Sequence, residues 1–361
     1  MSPTETPSGQ GAATYDQVLK KADQSVASFE EDAATPLRRL QHFLHAHPTA
    51  IPAIVLVLAI IFFSLVAGQR FLHPFNFSLV LQQVTIIGIV GVAQTLIVLT
   101  AGIDLSVGAI MVLSSVVMGK FAIAVGLPVP IAFLSGLITG TVCGVINGLL
   151  VTKLRLPPFI VTLGTWSIFF ALNLWYSGSE SIRSQDIAAG AAFLQYTGTP
   201  IVIGQARITY GSILMLGLVA LFWYILNWTS FGRHVYAIGD DPEAAQLAGI
   251  RTNGLLVSVY GIAGFICAIG GWALIGRVGA VSPQAGYTSN LDSITAVVIG
   301  GTSLFGGRGS IVGTLIGALI VGVFRNGLAL WGIDVLWQEF AVGVLIIVAV
   351  SIDQWLRRVS A

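Results

Sequence analysis

The chain alternates between long apolar runs and short polar breaks. A run of about 20 apolar residues is long enough to cross the hydrocarbon core of a bilayer as a helix. The pattern therefore predicts an all-α, polytopic membrane protein with about ten transmembrane helices. The predicted spans are 51–67, 79–99, 109–125, 129–151, 159–177, 211–228, 254–275, 293–301, 311–330 and 338–352, of which the eighth is the least clearly bounded.

Polar composition divides the chain into two parts. Residues 1–49 mix Ser, Thr, Gln and acidic residues with lysines and arginines, and we interpret them as a cytoplasmic tail. Residues 50–361 form the transmembrane domain. Within it, 178–210 is the longest connection between spans, with a possible strand at 201–203, and we assign it to the periplasmic side. The charged segment 229–253 is assigned to the cytoplasmic side as a coupling loop.

The basic residues set the predicted orientation. With the N-terminus inside, 11 of the 17 lysines and arginines fall on the inner side and 6 on the outer side. Because basic residues are enriched in cytoplasmic loops, this bias places both termini and 229–253 in the cytoplasm.

Composition excludes several classes of protein. Of the 361 residues, 55% are hydrophobic and 9% are charged, whereas a soluble domain carries about 25% charged residues. A net charge of +1 argues against a nucleic-acid partner. Cys143 and Cys267 both fall in apolar runs and are expected to be small core residues, with no metal bound by the chain.

The segment 229–253 carries the signals of a short, separate helix of about two turns. Asp241 suits its N-cap, a proline follows at the first helical position, and Gly249 suits its end. A helix this short is marginal alone, so it would need a surface to lie on. It is either a docking helix for a partner protein or a solvated loop with ordinary caps. The docking residues would be Asp241, Glu243, Ala244, Ala245 and Gly249.

Glycines recur every four residues in two spans. Small residues at this spacing let helix backbones pack closely in a membrane. We expect them to set helix packing and not to contact a substrate. The two ridges are Gly136, Gly140, Gly144 and Gly148 in the fourth span, and Gly309, Gly313 and Gly317 in the ninth.

Polar residues inside the apolar region are the candidates for a translocation path. Asp104 and Ser106 lie in a break between Gly102 and Gly108. A carboxylate at membrane depth is costly, so Asp104 needs a reason to be there. The two residues could cap the next helix or line a path. The amide, hydroxyl and aromatic side chains could contact a polar solute or make interhelical hydrogen bonds. They are Gln82, Gln83, Gln94, Asn147, Thr165, Trp166, Asn173 and Asn326.

No phosphate-binding loop of the form GxxxxGK[ST] is present in the sequence. The chain therefore has no recognisable nucleotide site and needs no cofactor of its own. If its transport is driven by ATP, then ATP and Mg²⁺ must bind to a separate ATPase chain.

Four motifs in order carry a family resemblance. They are GIDLSVG at 102–108, NGLLVTKLRLPPFIVTLGT at 147–165, GDDPEAAQLAGI at 239–250 and IGGTSLFGGRGSIVGTLIGA at 299–318. The chain resembles, over about 51–358, the permease subunits of monosaccharide ATP-binding-cassette (ABC) importers of the ribose, xylose and fructose type. The fructose type is the nearest, with ribose, mannose or xylose as other possible substrates.

The resemblance implies an ABC importer permease fold, with the translocation path formed by a homodimer in the bacterial inner membrane. It also implies a cytoplasmic ATPase that holds 241–249 and a periplasmic sugar-binding protein on the outer loops. Two alternatives remain open. One is an ion-coupled secondary sugar transporter that uses Asp104. The other is a membrane enzyme, for which no nucleophile, base or metal cluster is evident in the spans.

Overall fold

The fold is mostly helical. It is described from a computed structural model that covers residues 49–286 and 288–359, so the predicted tail lies outside the described residues apart from Thr49. The helices are α1 (Ala50–Ala67), α2 (Gln69–Leu72), α3 (Pro74–Leu99), α4 (Val107–Gly119), α5 (Val129–Lys153), α6 (Pro158–Ser177), α7 (Ser184–Gly190), α8 (Tyr210–Trp228), α9 (Ser230–Asp240), α10 (Pro242–Leu247), α11 (Thr252–Val278), α12 (Ser289–Ile299), α13 (Ile311–Leu330) and α14 (Val335–Val359). A π-helical turn (Lys120–Ala124) extends α4, and a 3₁₀ helix (Ala192–Gly198) precedes the strands β1 (Pro200–Ile203) and β2 (Ala206–Thr209).

Eight of the described helices are long and apolar enough to cross a membrane: α1, α3, α4 with its π-helical turn, α5, α6, α8, α11 and α13. The predicted count of ten is not confirmed. The eighth predicted span, 293–301, is the short helix α12, whose 11 residues rise only about 16 Å of the roughly 30 Å of a bilayer core. Helix α12 ends early because two glycines follow it, and Gly301 adopts a positive φ of 83°.

Helix α3 lies at the centre of the bundle. In an apolar stretch of 18 residues, 83% of α3 is buried, and 78% of α4 with its π-helical turn is buried. The buried share of the corresponding stretch is 17% in α1 and 28% in both α5 and α6. The outer helices therefore expose large apolar side chains such as Leu65 and Trp175. Exposed apolar surface of this kind is expected where a helix faces lipid or another membrane chain.

The first predicted glycine ridge lies where α5 packs against α11. A Cβ at Gly144 would overlap the carbonyl oxygen of Tyr260, and a Cβ at Gly264 would overlap that of Gly140. The two backbones are thus in direct contact, as small residues allow between membrane helices. In the second ridge, a Cβ at Gly313 would overlap the carbonyl oxygen of Gly300, so α13 is in direct backbone contact with the end of α12. The first ridge sets helix packing as predicted, and so do Gly313 and Gly317 of the second. The prediction is wrong for Gly309, which precedes α13 in a loop with a φ of +154° and lies against Thr302.

The connection 178–210 is compact. It contains α7, the 3₁₀ helix and a hairpin in which Ile201 pairs with Ile208, so the strand predicted at 201–203 is confirmed within β1. Ile182 pairs with Val281 and ties the connection to the segment that follows α11. These elements lie at the opposite end of the bundle from α9 and α10, because α8 and α11 run between the two ends.

Candidate functional site

The helix predicted between Asp241 and Gly249 is present as α10. Asp241 accepts hydrogen bonds through Oδ1 from the backbone N–H groups of Glu243 (2.9 Å) and Ala244 (3.0 Å), so it is the N-cap. Gly249 ends the helix with a φ of +87°, a conformation that favours glycine. The caps are needed because α10 has only six residues.

Helix α10 presents most of its surface outwards. Ala245 is buried, with 5% of its surface exposed, and anchors the helix to the bundle. Glu243 and Ala244 are exposed, and Leu247 is 90% exposed. The exposed face of α10 therefore carries one carboxylate and one large apolar side chain.

Helix α9 was missed by the sequence analysis, which treated residues 230–240 as loop. It is amphipathic: Val235 and Ile238 are buried, whereas Arg233 and His234 are exposed. Because the helix lies along the end of the bundle, its apolar face packs inwards and its polar face stays in solvent. Thr229 caps it by accepting from the Gly232 N–H at 3.3 Å.

Helix α9 contacts the end of α3 and the loop between α12 and α13, a second break that contains Gly306, Gly307 and Gly309. A Cβ at Gly239 would overlap the Leu99 carbonyl oxygen and lie 2.5 Å from the Gly307 nitrogen. The Gly307 N–H in turn donates to the Leu99 carbonyl at 3.0 Å. A Cβ at Gly306 would lie 2.6 Å from the Gly239 carbonyl oxygen. Three backbone segments therefore meet without intervening side chains: α9, the end of α3, and the loop between α12 and α13.

A side chain reinforces the same junction. The Tyr236 hydroxyl donates to the Gly309 carbonyl oxygen at 2.9 Å. Burial raises the pKa of Tyr236, so its hydroxyl remains a donor at physiological pH.

Asp104 forms a buried hydrogen-bond cluster with Ser106 and Asn147. Its Oδ1 accepts from both the backbone N–H and the hydroxyl of Ser106 (2.6 Å each), and the Asn147 amide donates to the Ser106 hydroxyl oxygen at 2.8 Å. Thr162 donates to the Ile103 carbonyl at 2.9 Å. Ser106 stands at the N-cap position of α4, but its side chain makes no capping bond. The cluster fixes the break between α3 and α4 to α5 and α6.

The other predicted path residues do not converge on one place. Asn326 and Asn76 exchange amide hydrogen bonds of 2.9 and 3.0 Å between α13 and α3. Gln94 is fully buried in α3, and neither polar atom of its side chain has a hydrogen-bond partner among the described residues. Thr165 donates to the Thr162 carbonyl at 3.4 Å. Gln82 donates to the Arg207 carbonyl, and Asn173 donates to the Pro283 carbonyl. Trp166 stacks on Phe170. Gln83 lines the cavity described next.

A cavity of about 500 Å³ that is lined in part by charged side chains was missed by the sequence analysis. Its described lining includes Gln83, Arg277, Asp292, Arg325 and Glu339. Arg277 and Arg325 were counted as outer basic residues, and Asp292 was placed in a loop. A signal was available, because a charged residue inside the apolar run 311–330 is costly and marks a polar environment.

Within the described ranges, no group of three or more His, Cys, Asp or Glu side chains is arranged to hold a metal. The candidate features are thus the capped, exposed helix α10 at one end, the hydrogen-bonded break at Asp104, and a charged cavity towards the other end. Together with the eight membrane-capable helices of the described ranges, they are the features of a multi-pass membrane protein.

Comparison with known proteins identifies the family. The family described as "Branched-chain amino acid transport system / permease component" matches residues 76–350. The chain belongs to this permease family and is a transport permease subunit, not an enzyme.

Curated relatives cover most or all of the chain. It is 56% identical over 361 residues to the fructose import permease protein FrcC of Rhizobium meliloti, with all of both chains covered. It is 39% identical to the ribose import permease protein RbsC of Bacillus subtilis, over 90% of this chain and 98% of the relative. The galactose/methyl galactoside import permease protein MglC of Escherichia coli is 32% identical, over 83% of this chain and 91% of the relative. No solved structure matches the chain.

Proposed function

We propose that the chain is the membrane subunit of an ATP-driven, binding-protein-dependent importer of a monosaccharide, with fructose as its first candidate substrate. The sugar follows from the full-length relative named as a fructose import permease. Ribose and galactose are named for more distant relatives and remain the next candidates, with mannose and xylose after them.

The observation that carries the proposal is the construction of α10. Its caps hold Glu243 and Leu247 in solvent, and α9 connects it through Gly239 to the breaks beside Leu99 and Gly307. A cytoplasmic ATPase that grips α10 would therefore act directly on the ends of membrane helices. ATP and Mg²⁺ would bind to that ATPase and not to this chain.

We infer the remaining parts of the assembly from the resemblance to sugar importers. A second copy of the chain completes the translocation path, and a periplasmic sugar-binding protein docks at the end that carries 178–210. The 11 to 6 bias of basic residues supports an inner-membrane protein with both termini in the cytoplasm.

Asp104 is a poor candidate for ion coupling in this proposal. The hydroxyl and amide hydrogen bonds from Ser106 occupy its Oδ1, and Asn147 donates into the same cluster. Its role is to hold the break between α3 and α4 in one conformation. The polar residues Gln83, Gln94, Asn147, Thr165, Trp166 and Asn326 remain candidates for contact with the sugar during passage.

Co-purification tests the proposal. The chain is extracted in detergent as wild type and as Glu243→Arg/Gly249→Trp, and proteins that co-purify are identified. The matched control is Glu180→Arg/Gly204→Trp, which makes the same two changes at exposed positions at the opposite end, one of them also a positive-φ glycine. We expect an ABC ATPase to co-purify with the wild type and with the control, but not with Glu243→Arg/Gly249→Trp. Equal recovery of the ATPase with all three would refute the coupling role of α10.

A further inference from the structure

The charged cavity lies away from the docking helix. Arg277 is in the last turn of α11, which begins next to α10, so the cavity is near the opposite end of that helix. Arg325 lies 14 residues into α13, or about 21 Å along its axis from Ile311. The cavity has a volume of about 500 Å³ and is bounded by α3, α11, α12, α13 and α14.

One guanidinium organises the charges of the cavity. Arg325 donates to both carboxylate oxygens of Asp292, at 2.8 Å from Nη2 and 3.1 Å from Nη1. Its Nη2 also donates to Glu339, at 3.0 and 3.1 Å. The Arg325 Nε is buried and has no partner among the described residues. Arg277 donates to the Gln83 carbonyl at 3.3 Å. The cavity therefore presents both hydrogen-bond donors and acceptors.

Helix packing alone does not account for this arrangement. Charged groups within the apolar part of a bundle are costly, and an ion pair in a buried site often adds little stability compared with packed apolar side chains. The side chains of Asp292 and Arg325 are only 10% and 23% exposed, yet they border an open space instead of being enclosed by apolar residues. Charged residues in this position mark the path of a polar solute.

The cavity matches a monosaccharide in size and chemistry. Its volume falls within the roughly 300–1,000 Å³ that small-molecule pockets occupy. Sugar hydroxyls give up water only for matched donors and acceptors, which the carboxylates, the guanidinium groups and the amides of Gln83 and Gln338 supply. None of the described lining residues is aromatic, so the cavity lacks the stacking surface of a tight sugar site. It suits a site that holds a sugar briefly.

We propose that this cavity is a transit site for the sugar, in which the Asp292–Arg325–Glu339 network exchanges its internal hydrogen bonds for hydroxyl groups of a monosaccharide. The inference rests on the proposed function and adds to it a location and a set of contact residues. It places the contact at the end of the bundle opposite α10, where a sugar released by a binding protein would arrive.

A cysteine at Ala329 gives a direct test. Ala329 lines the cavity and is exposed, whereas the two native cysteines, Cys143 and Cys267, are buried and leave the wild type as a suitable background. Full-length Ala329→Cys in proteoliposomes is treated with methanethiosulfonate ethylsulfonate, a small charged thiol reagent, in the presence of increasing fructose. The labelling control is Thr199→Cys, at an exposed position of the same end outside the cavity, and glycerol is the solute control.

Labelling is expected to be slowed by fructose and not by glycerol. At twice its dissociation constant a ligand occupies about two thirds of its sites, so labelling of Ala329→Cys should fall about threefold, while labelling of Thr199→Cys should not change. In liposomes that also contain the ATPase and the binding protein, labelling of Ala329→Cys should abolish fructose uptake relative to the same unlabelled variant.

Three results would overturn the transit site: no labelling of Ala329→Cys, labelling that fructose does not slow, or labelling that leaves uptake intact. A Gln83→Leu variant adds a chemical test, because Gln83 lines the cavity outside the ion-pair network, and uptake at wild-type rates would contradict its contact with the sugar. Failure of the proposed function would be seen separately, as absence of ATP-driven uptake by the unlabelled wild type.

Discussion

Replacement of Asp241 by alanine removes the N-cap of α10 without disturbing the core. Asp241 is exposed, and the hydrogen bonds that the structure gives its side chain are those it accepts from Glu243 and Ala244. The loss of such a cap costs about 1 kcal/mol and at most about 2 kcal/mol. Because α10 has only six residues, this free energy is a large share of what keeps it folded.

The expected effect is a weaker complex with the ATPase. A loss of 1–2 kcal/mol lowers the folded population of α10 relative to the unfolded one by a factor of about 5 to 30. If the ATPase binds only the folded helix, the dissociation constant of its complex with the permease should rise as the folded fraction of α10 falls. The rise reaches the full factor only if most of α10 is unfolded in both the wild type and the variant, and it is smaller otherwise. The constant is measured between the detergent-solubilised permease and its ATPase.

Two matched variants separate the cap from the charge. Asp241→Asn removes the charge but keeps a side-chain acceptor of equal capping strength, so its affinity should be close to that of the wild type. Asp240→Ala removes the same charge one residue earlier, where the structure gives no capping bond. An Asp241→Ala variant that binds as tightly as wild type would refute the reasoning. An Asp241→Asn variant as weak as Asp241→Ala would show that charge, and not capping, is recognised.

Three further predictions concern the bundle. Gly144→Ala should reduce the yield and the melting temperature, because the added Cβ overlaps the α11 backbone. The control Gly164→Ala should change neither, because nothing lies within 4 Å of its Cβ, and equal yields of the two variants would contradict the ridge. Arg325→Gln should lower the melting temperature because Asp292 loses its partner, a change that typically costs about 3–5 kcal/mol for a fully buried pair. Restoration by a second change, Asp292→Asn, is expected, and failure to restore it would weaken the ion-pair assignment. Asp104→Asn should lower stability while uptake still requires ATP, and uptake that becomes independent of ATP would contradict its structural role.

The features that could be predicted from sequence depend on local rules. Asp241 and Gly249 were assigned as the two ends of a helix because capping preferences act within a few residues. Both assignments are confirmed by hydrogen bonds and by a positive φ. The glycine ridges were equally readable, since a four-residue spacing places Gly140 and Gly144 on one face of a helix.

The features that were missed depend on contacts distant in sequence. Arg325 and Asp292 are separated by 33 residues, and Asn326 and Asn76 by 250, so no local pattern could pair them. Asp292 was assigned to a loop because α12 begins earlier than the apolar run suggested. Hydropathy reports the apolar run and not the polar space beside it, and for that reason the cavity was not foreseen.

Helix α9 was missed for a different reason. Hydropathy over a long window detects spans, but an amphipathic helix has a low mean hydropathy and alternates polar and apolar faces. Val235 and Ile238, spaced three residues apart, are the signal that could have identified it. Its contact with Gly307 could not have been foreseen, because it joins two breaks that are far apart in the chain.

Reconstituted uptake tests the central claim most directly. The chain, its ATPase and the sugar-binding protein are placed in proteoliposomes, and entry of radiolabelled fructose is followed with ATP and Mg²⁺, without ATP, and with each protein omitted in turn. We predict accumulation only when all three proteins and ATP are present, and its loss with Glu243→Arg/Gly249→Trp. Accumulation driven by a sodium or proton gradient by the permease alone would contradict the account and identify a secondary transporter.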